Sequence, residues 1–83
     1  MRFQVTWLPA AEQRLAKLWL ESRSASRITK ATDRLDLLLA DDPLAFGESR
    51  AGNFRIAFES PIAISYLVDE GTRQVIIFHV WLY

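Results

Sequence analysis

The sequence contains no cysteine, so neither a disulfide framework nor a thiolate metal site can form. Histidine is almost as scarce. With His79 alone, a zinc site would have to draw every other protein ligand from carboxylates, and no metal or other cofactor is expected. Net charge is absent too: ten Lys and Arg cancel ten Asp and Glu, which argues against holding nucleic acid by bulk positive charge. No apolar run approaches the roughly 20 residues of a membrane-spanning helix. Met1 to Trp7 alternates instead of forming the continuous apolar block of a signal peptide. These absences lead to the expectation of a cytoplasmic protein without membrane contact.

What is present is 83 residues of ordinary globular composition, half of them apolar, expected to form one domain over residues 1–83. Arg2 to Leu8 alternates as a strand with Phe3, Val5 and Trp7 on its apolar side. Pro9 stops it and suits the first turn of a helix. Ala11, Leu15, Leu18 and Trp19 then form one helical stripe, and Trp7 and Trp19 are both expected in the core. After the polar stretch Ser22 to Ser26, in which Ser24 or Ser26 is placed to cap a helix, Ile28, Ala31, Leu35, Leu38 and Leu39 repeat at helical spacing until Asp41-Asp42-Pro43. The short link predicts an antiparallel helical hairpin.

Leu44 to Asn53 reads as a loop with Gly47 and Gly52 as turn positions, where Glu48 and Arg50 suit an exposed ion pair. Three strands follow, Phe54–Glu59, Ile62–Asp69 and Arg73–Leu82, joined by turns short enough for an antiparallel meander. The expected fold is α+β in the order β-α-α-β-β-β, with the hairpin on one face of a mostly antiparallel four-stranded sheet. Alternation assigns Phe54, Ile56 and Phe58, then Ile62, Ile64, Tyr66 and Val68, then Ile76, Phe78, Val80 and Leu82 to the covered face. The opposite face then carries Arg55, Ala57, Glu59, Ala63, Ser65, Leu67, His79, Trp81 and Tyr83. Lys and Arg crowd residues 1–34, and Asp36, Asp41, Asp42 and Glu48 come later. That imbalance suits either a solvated helical face or a surface for an acidic partner.

Val5-Thr6-Trp7-Leu8-Pro9-Ala10-Ala11, Leu38-Leu39 with Asp42-Pro43, Gly47-Glu48-Ser49-Arg50, Phe54-Arg55, Ile64-Ser65-Tyr66-Leu67-Val68 and Val75 to Trp81 occur in an order that resembles the RelE/ParE superfamily of type II toxin–antitoxin toxins. The resemblance covers essentially the whole chain. It implies the same fold, a cognate antitoxin as partner, and either cleavage of messenger RNA on the ribosome or inhibition of DNA gyrase. Fold alone does not choose between the two. Arg55 matches a basic position of the RNA-cutting members, whereas Ala63 stands where they usually have an arginine, and this chain lacks the longer tail of many members.

Scission by an internal 2′-hydroxyl needs a base, a cationic clamp on the phosphate and an acid for the leaving oxygen. Glu48 or His79 is the candidate base, Arg50 and Arg55 the candidate clamp, and His79 or Tyr83 the candidate acid, with Trp81 placed to stack a base. Each also has a plainer role: His79 as a half-buried structural histidine, Arg55 in an ion pair with Glu59, and Trp81 and Tyr83 as packing or partner contacts. The same face, with Ala57, Ala63, Leu67, Trp81 and Tyr83, suits a protein partner. Three activities therefore stay open: a weak ribosome-dependent endoribonuclease, a non-catalytic gyrase inhibitor, and a degenerate toxin that only binds its antitoxin.

Overall fold

The structure, a computed structural model, describes residues 2–50, 52 and 54–83. In chain order its elements are β1 (Gln4–Trp7), α1 (Pro9–Glu21), α2 (Ala25–Asp41), β2 (Glu48–Ser49), β3 (Phe54–Glu59), β4 (Ile62–Asp69) and β5 (Gln74–Leu82). The strands form one five-stranded sheet in the order β1-β5-β4-β3-β2. β1 runs parallel to β5, and every other neighbouring pair is antiparallel. The fold is α+β as the periodicity requires, with one strand more than expected, because Glu48 and Ser49 pair with Ile56 and Arg55 inside what reads as a loop.

Both helices begin and end where the sequence punctuates. Pro9 occupies the first turn of α1, where its missing N–H is not needed, and α2 stops at Asp41, just before Pro43. Ser24 stands at the N-cap of α2, but its side chain makes no capping bond; instead its carbonyl oxygen accepts from Arg27 N and Ile28 N at 3.0 and 3.1 Å. The Ser22 hydroxyl accepts from Ser24 N at 2.8 Å and so turns the chain between the helices.

The core lies between the hairpin and one sheet face. It joins Ala11, Leu18, Ile28, Ala31, Leu35 and Leu39 of the helices to Ala57, Ile62, Ile64, Tyr66, Val68, Val75, Ile77 and Val80 of the strands, with Phe3, Val5, Trp7, Leu15 and Phe46 packed around it. Trp19, expected there, is 45% exposed; its indole N–H reaches across to Thr29 Oγ1 at 3.0 Å instead of entering the core.

The face assignment holds for β4 and fails for β3 and half of β5. Arg55 pairs with Tyr66, Ala57 with Ile64 and Glu59 with Ile62, so β3 turns Arg55, Ala57 and Glu59 to the helix side. Phe54, Ile56 and Phe58 pair with Leu67, Ser65 and Ala63 and lie on the helix-free side. Glu59 accepts from Arg34 of α2 at 3.2 Å, not from Arg55. In β5 the ladder slips between Ser65 and Tyr66: Ser65 pairs with His79 and Tyr66 with Ile77, leaving Phe78 as the extra residue of a bulge. Val75 and Ile77 therefore face the helices before the bulge and Val80 faces them after it, while Ile76 joins the helix-free side.

Candidate functional site

The helix-free face is an aromatic floor with hardly any charge. Phe54 and Phe78 meet with ring centroids 5.4 Å apart, Phe58 and Tyr83 at 5.1 Å, and His79 and Trp81 at 5.1 Å. Down its middle run Ala63 and Ser65 of β4, at 0% and 4% exposure although no element of the fold covers them. Their small side chains lie between taller neighbours, Phe58 and Trp81 beside Ala63, Ile56 and His79 beside Ser65. Those neighbours close over them, so the face is a continuous, largely aromatic surface on which Phe58 is 45% exposed and Tyr83 is also exposed.

Of the residues singled out in the sequence, His79, Trp81 and Tyr83 do share this face. Glu48 and Arg50 reach its β2 edge, where they form the expected ion pair at 3.2 Å, both exposed. Arg55 does not belong to the group. It lies on the opposite side, where Nη2 donates to the carbonyl oxygens of Leu44 and Gly47 at 3.0 and 3.1 Å, and its buried Nε has no partner among the described residues. The guanidinium pins the 44–47 loop.

Tyr66 completes that pin. Its hydroxyl is shared between the carbonyl oxygens of Pro43, at 3.0 Å, and Phe46. Burial pushes the phenol pKa up, partly offset by the hydrogen bond and positive charge of Arg55. Gly47 sits against this hydroxyl with φ +81°, a backbone conformation that favours glycine.

The geometry separates Glu48 from His79. Glu48, Ile56, Ser65 and His79 occupy one cross-strand row, so Glu48 and His79 are three strand spacings apart, about 14 Å between backbones. Groups that share one phosphate must approach within hydrogen-bond reach of it. Among the described residues no Lys or Arg on β3, β4 or β5 points to the face that carries His79. On β3, β4 and β5 the face offers apolar area, ring edges and one imidazole, and its candidate cation, Arg50, stands at the β2 edge paired with Glu48.

The residues that sequence reasoning missed are Phe54, Ile56, Phe58 and Phe78, taken for core. A signal was present in β3, where Ala57, flanked by Arg55 and Glu59, is the small residue that lets α2 approach. Among the described residues there is no cluster of acids and imidazole able to hold a metal ion, and no helix long and apolar enough to cross a membrane.

No family model matches the chain, and no curated protein matches it. Solved structures do. The chain is similar to the toxin–antitoxin complex RelBE2 from Mycobacterium tuberculosis, at 22% identity and a TM-score of 0.80, over 100% of both chains. It is similar to the chromosomal ParDE toxin–antitoxin system of P. aeruginosa at 13% identity and a TM-score of 0.70, over 96% of this chain and 95% of the other. An archaeal RelE–RelB complex from Pyrococcus horikoshii OT3 aligns at 14% identity and a TM-score of 0.59, over 99% and 96%. The chain has the fold of RelE/ParE toxins along its whole length.

Proposed function

We propose that residues 1–83 act as one domain, the toxin of a type II toxin–antitoxin module, inhibiting growth in the cytoplasm and neutralised by a cognate antitoxin. The observation that carries the reading is the end-to-end likeness of the chain to a chain of the RelBE2 complex, at a TM-score of 0.80. The helix-free face favours action by protein contact over RNA cleavage, because Arg55 is turned away from His79, Arg50 is paired with Glu48 at the far edge, and Ala63 leaves the centre of the face uncharged. Loss of one preorganised charge of this kind costs about 10²–10³ in rate. A protein target, with DNA gyrase the candidate implied by the resemblance, suits an aromatic floor better.

The test is induced expression with and without the neighbouring open reading frame, followed by two readouts. Growth arrest relieved by the neighbour, with messages intact and DNA supercoiling altered, supports the reading. Fragmented message on the ribosome would restore the nuclease in its place. Absence of growth arrest together with tight binding of the neighbour would identify a degenerate toxin.

A further inference from the structure

Part of the excess of Lys and Arg in residues 1–34 is gathered in one place that the proposed activity does not use. Arg27, Lys30 and Arg34 fall at i, i+3 and i+7 of α2, one line about 10 Å long on its flank. The line borders a shallow recess of about 210 Å³ between α2 and the turn that joins β3 to β4, completed by Ala31, Glu59 and Ser60. All three cations are exposed. Arg34 is held in place: its Nε donates to Glu59 Oε1 at 3.2 Å, and its side chain remains 66% exposed. Arg27 and Lys30 have no ion-pair partner among the described residues. Asp33 and Asp36 of the same helix line the other flank, toward α1. Between residues 27 and 36, α2 therefore separates charge across its width although the chain as a whole is neutral.

The chemistry of this surface narrows what can lie on it. Among the described residues the one apolar side chain of the recess is Ala31, 3% exposed, so a protein partner would find no apolar area to bury. No aromatic ring among them lines it, and a single-stranded nucleic acid would have nothing to stack on. An RNA duplex is held by 2′-hydroxyl and phosphate contacts spread over about 16 base pairs, a span that a line of about 10 Å does not cover. A DNA duplex carries its phosphates outside and can be held by cations and a hydroxyl without contact to a base. We propose that Arg27, Lys30 and Arg34 of α2 bind the phosphate backbone of duplex DNA, with the Ser60 hydroxyl as a further donor. Asp33 and Asp36 on the far flank repel a second strand, so α2 lies along one strand and does not enter the groove. The contact is therefore indifferent to sequence, and modest, since three cations release about three counterions.

The full chain titrated into short labelled DNA duplexes of two unrelated sequences, and into an RNA duplex of equal length, tests it by fluorescence anisotropy. With three phosphate contacts, affinity should fall about 40-fold between about 50 and 200 mM salt, equally for both sequences. Arg27→Gln or Lys30→Gln should weaken binding and reduce that fall to about 12-fold, one contact fewer. Arg14→Gln with Lys17→Gln removes two charges from α1, neither of which borders the recess, and should leave the salt slope unchanged. All these positions are exposed, and circular dichroism checks that every variant is folded. Absence of DNA binding at about 50 mM salt, tighter binding of the RNA duplex, or an equal loss in the α1 variant would overturn the ridge.

The ridge and the toxin reading fail separately. A chain that binds DNA through α2 but does not arrest growth loses the toxin reading and keeps the ridge. A chain that arrests growth and binds neither DNA sequence loses the ridge and keeps the toxin.

Discussion

Gly47 has so little room that its replacement reports directly on the Arg55–Tyr66 pin. A Cβ there would lie 2.6 Å from the Tyr66 hydroxyl and 2.9 Å from the Ile56 carbonyl oxygen, at φ +81°. Gly47→Ala should cost about 2–3 kcal/mol by urea denaturation, from left-handed backbone strain plus displacement of the loop. Tyr66 gives a pH prediction. Its folded pKa is raised above the unfolded value of 10.0. The neutral phenol is thus favoured by folding, and its contribution is fully present below about pH 10 and lost as pH climbs through the raised value. In a Tyr83→Phe background, ultraviolet titration should show Tyr66 ionising above its ordinary range. Tyr66→Phe should lower the urea midpoint at pH 8, since two loop carbonyls lose their donor at about 1–3 kcal/mol, and should weaken the alkaline decline. A steeper decline in Tyr66→Phe would contradict the assignment.

At the scale of elements, the extra residue of β5 decides which side chains the face presents. With Phe78 left out, Val75, Ile77, Val80 and Leu82 fall on one side and Ile76, His79 and Trp81 on the other in unbroken alternation. Deleting Phe78 should therefore leave a cooperatively folded protein that has lost the Phe54–Phe78 contact, at about 1–2 kcal/mol. A chain that loses near-ultraviolet circular dichroism on this deletion would show that the bulge is required for closure of the sheet.

The same strand explains what the sequence could and could not reveal. The helices, the order of elements and the inward set of β4 follow from period and punctuation. Val75-Ile76-Ile77-Phe78 is apolar at every position, and alternation cannot orient such a run or expose a bulge inside it. In β3 the apolar-inward rule inverts, because Arg55 and Glu59 find polar contacts with the loop and with α2, which leaves Phe54, Ile56 and Phe58 on the helix-free face. His79, Trp81 and Tyr83 were legible because β5 regains its phase after the bulge. Arg55 was misplaced together with its strand.

For the molecule as a whole, the exposed rings of the helix-free face predict that function can be lost without loss of the fold. Phe58→Ser with Trp81→Ala should abolish growth inhibition while circular dichroism shows a folded chain, because both side chains are partly solvated. Antitoxin binding should raise the melting temperature by mass action, a measurement best made on the co-expressed complex. Inhibition that survives Phe58→Ser with Trp81→Ala would move the active surface elsewhere.

The parallel pairing of β1 with β5 joins residues 4–7 to residues 74–77, and this sets a clock. A ribosome adding about 5–20 residues per second leaves β1 without its neighbour for about 4–14 s. Until then β4 has no His79 and Trp81 beside it, and the aromatic face has only its β3 side, Ile56 and Phe58. The helix-free face is therefore assembled only once residues 79–83 have been made, whatever else has folded by then. A protein partner already waiting nearby would meet that surface as it first appears, so order of synthesis acts on its capture as much as affinity does.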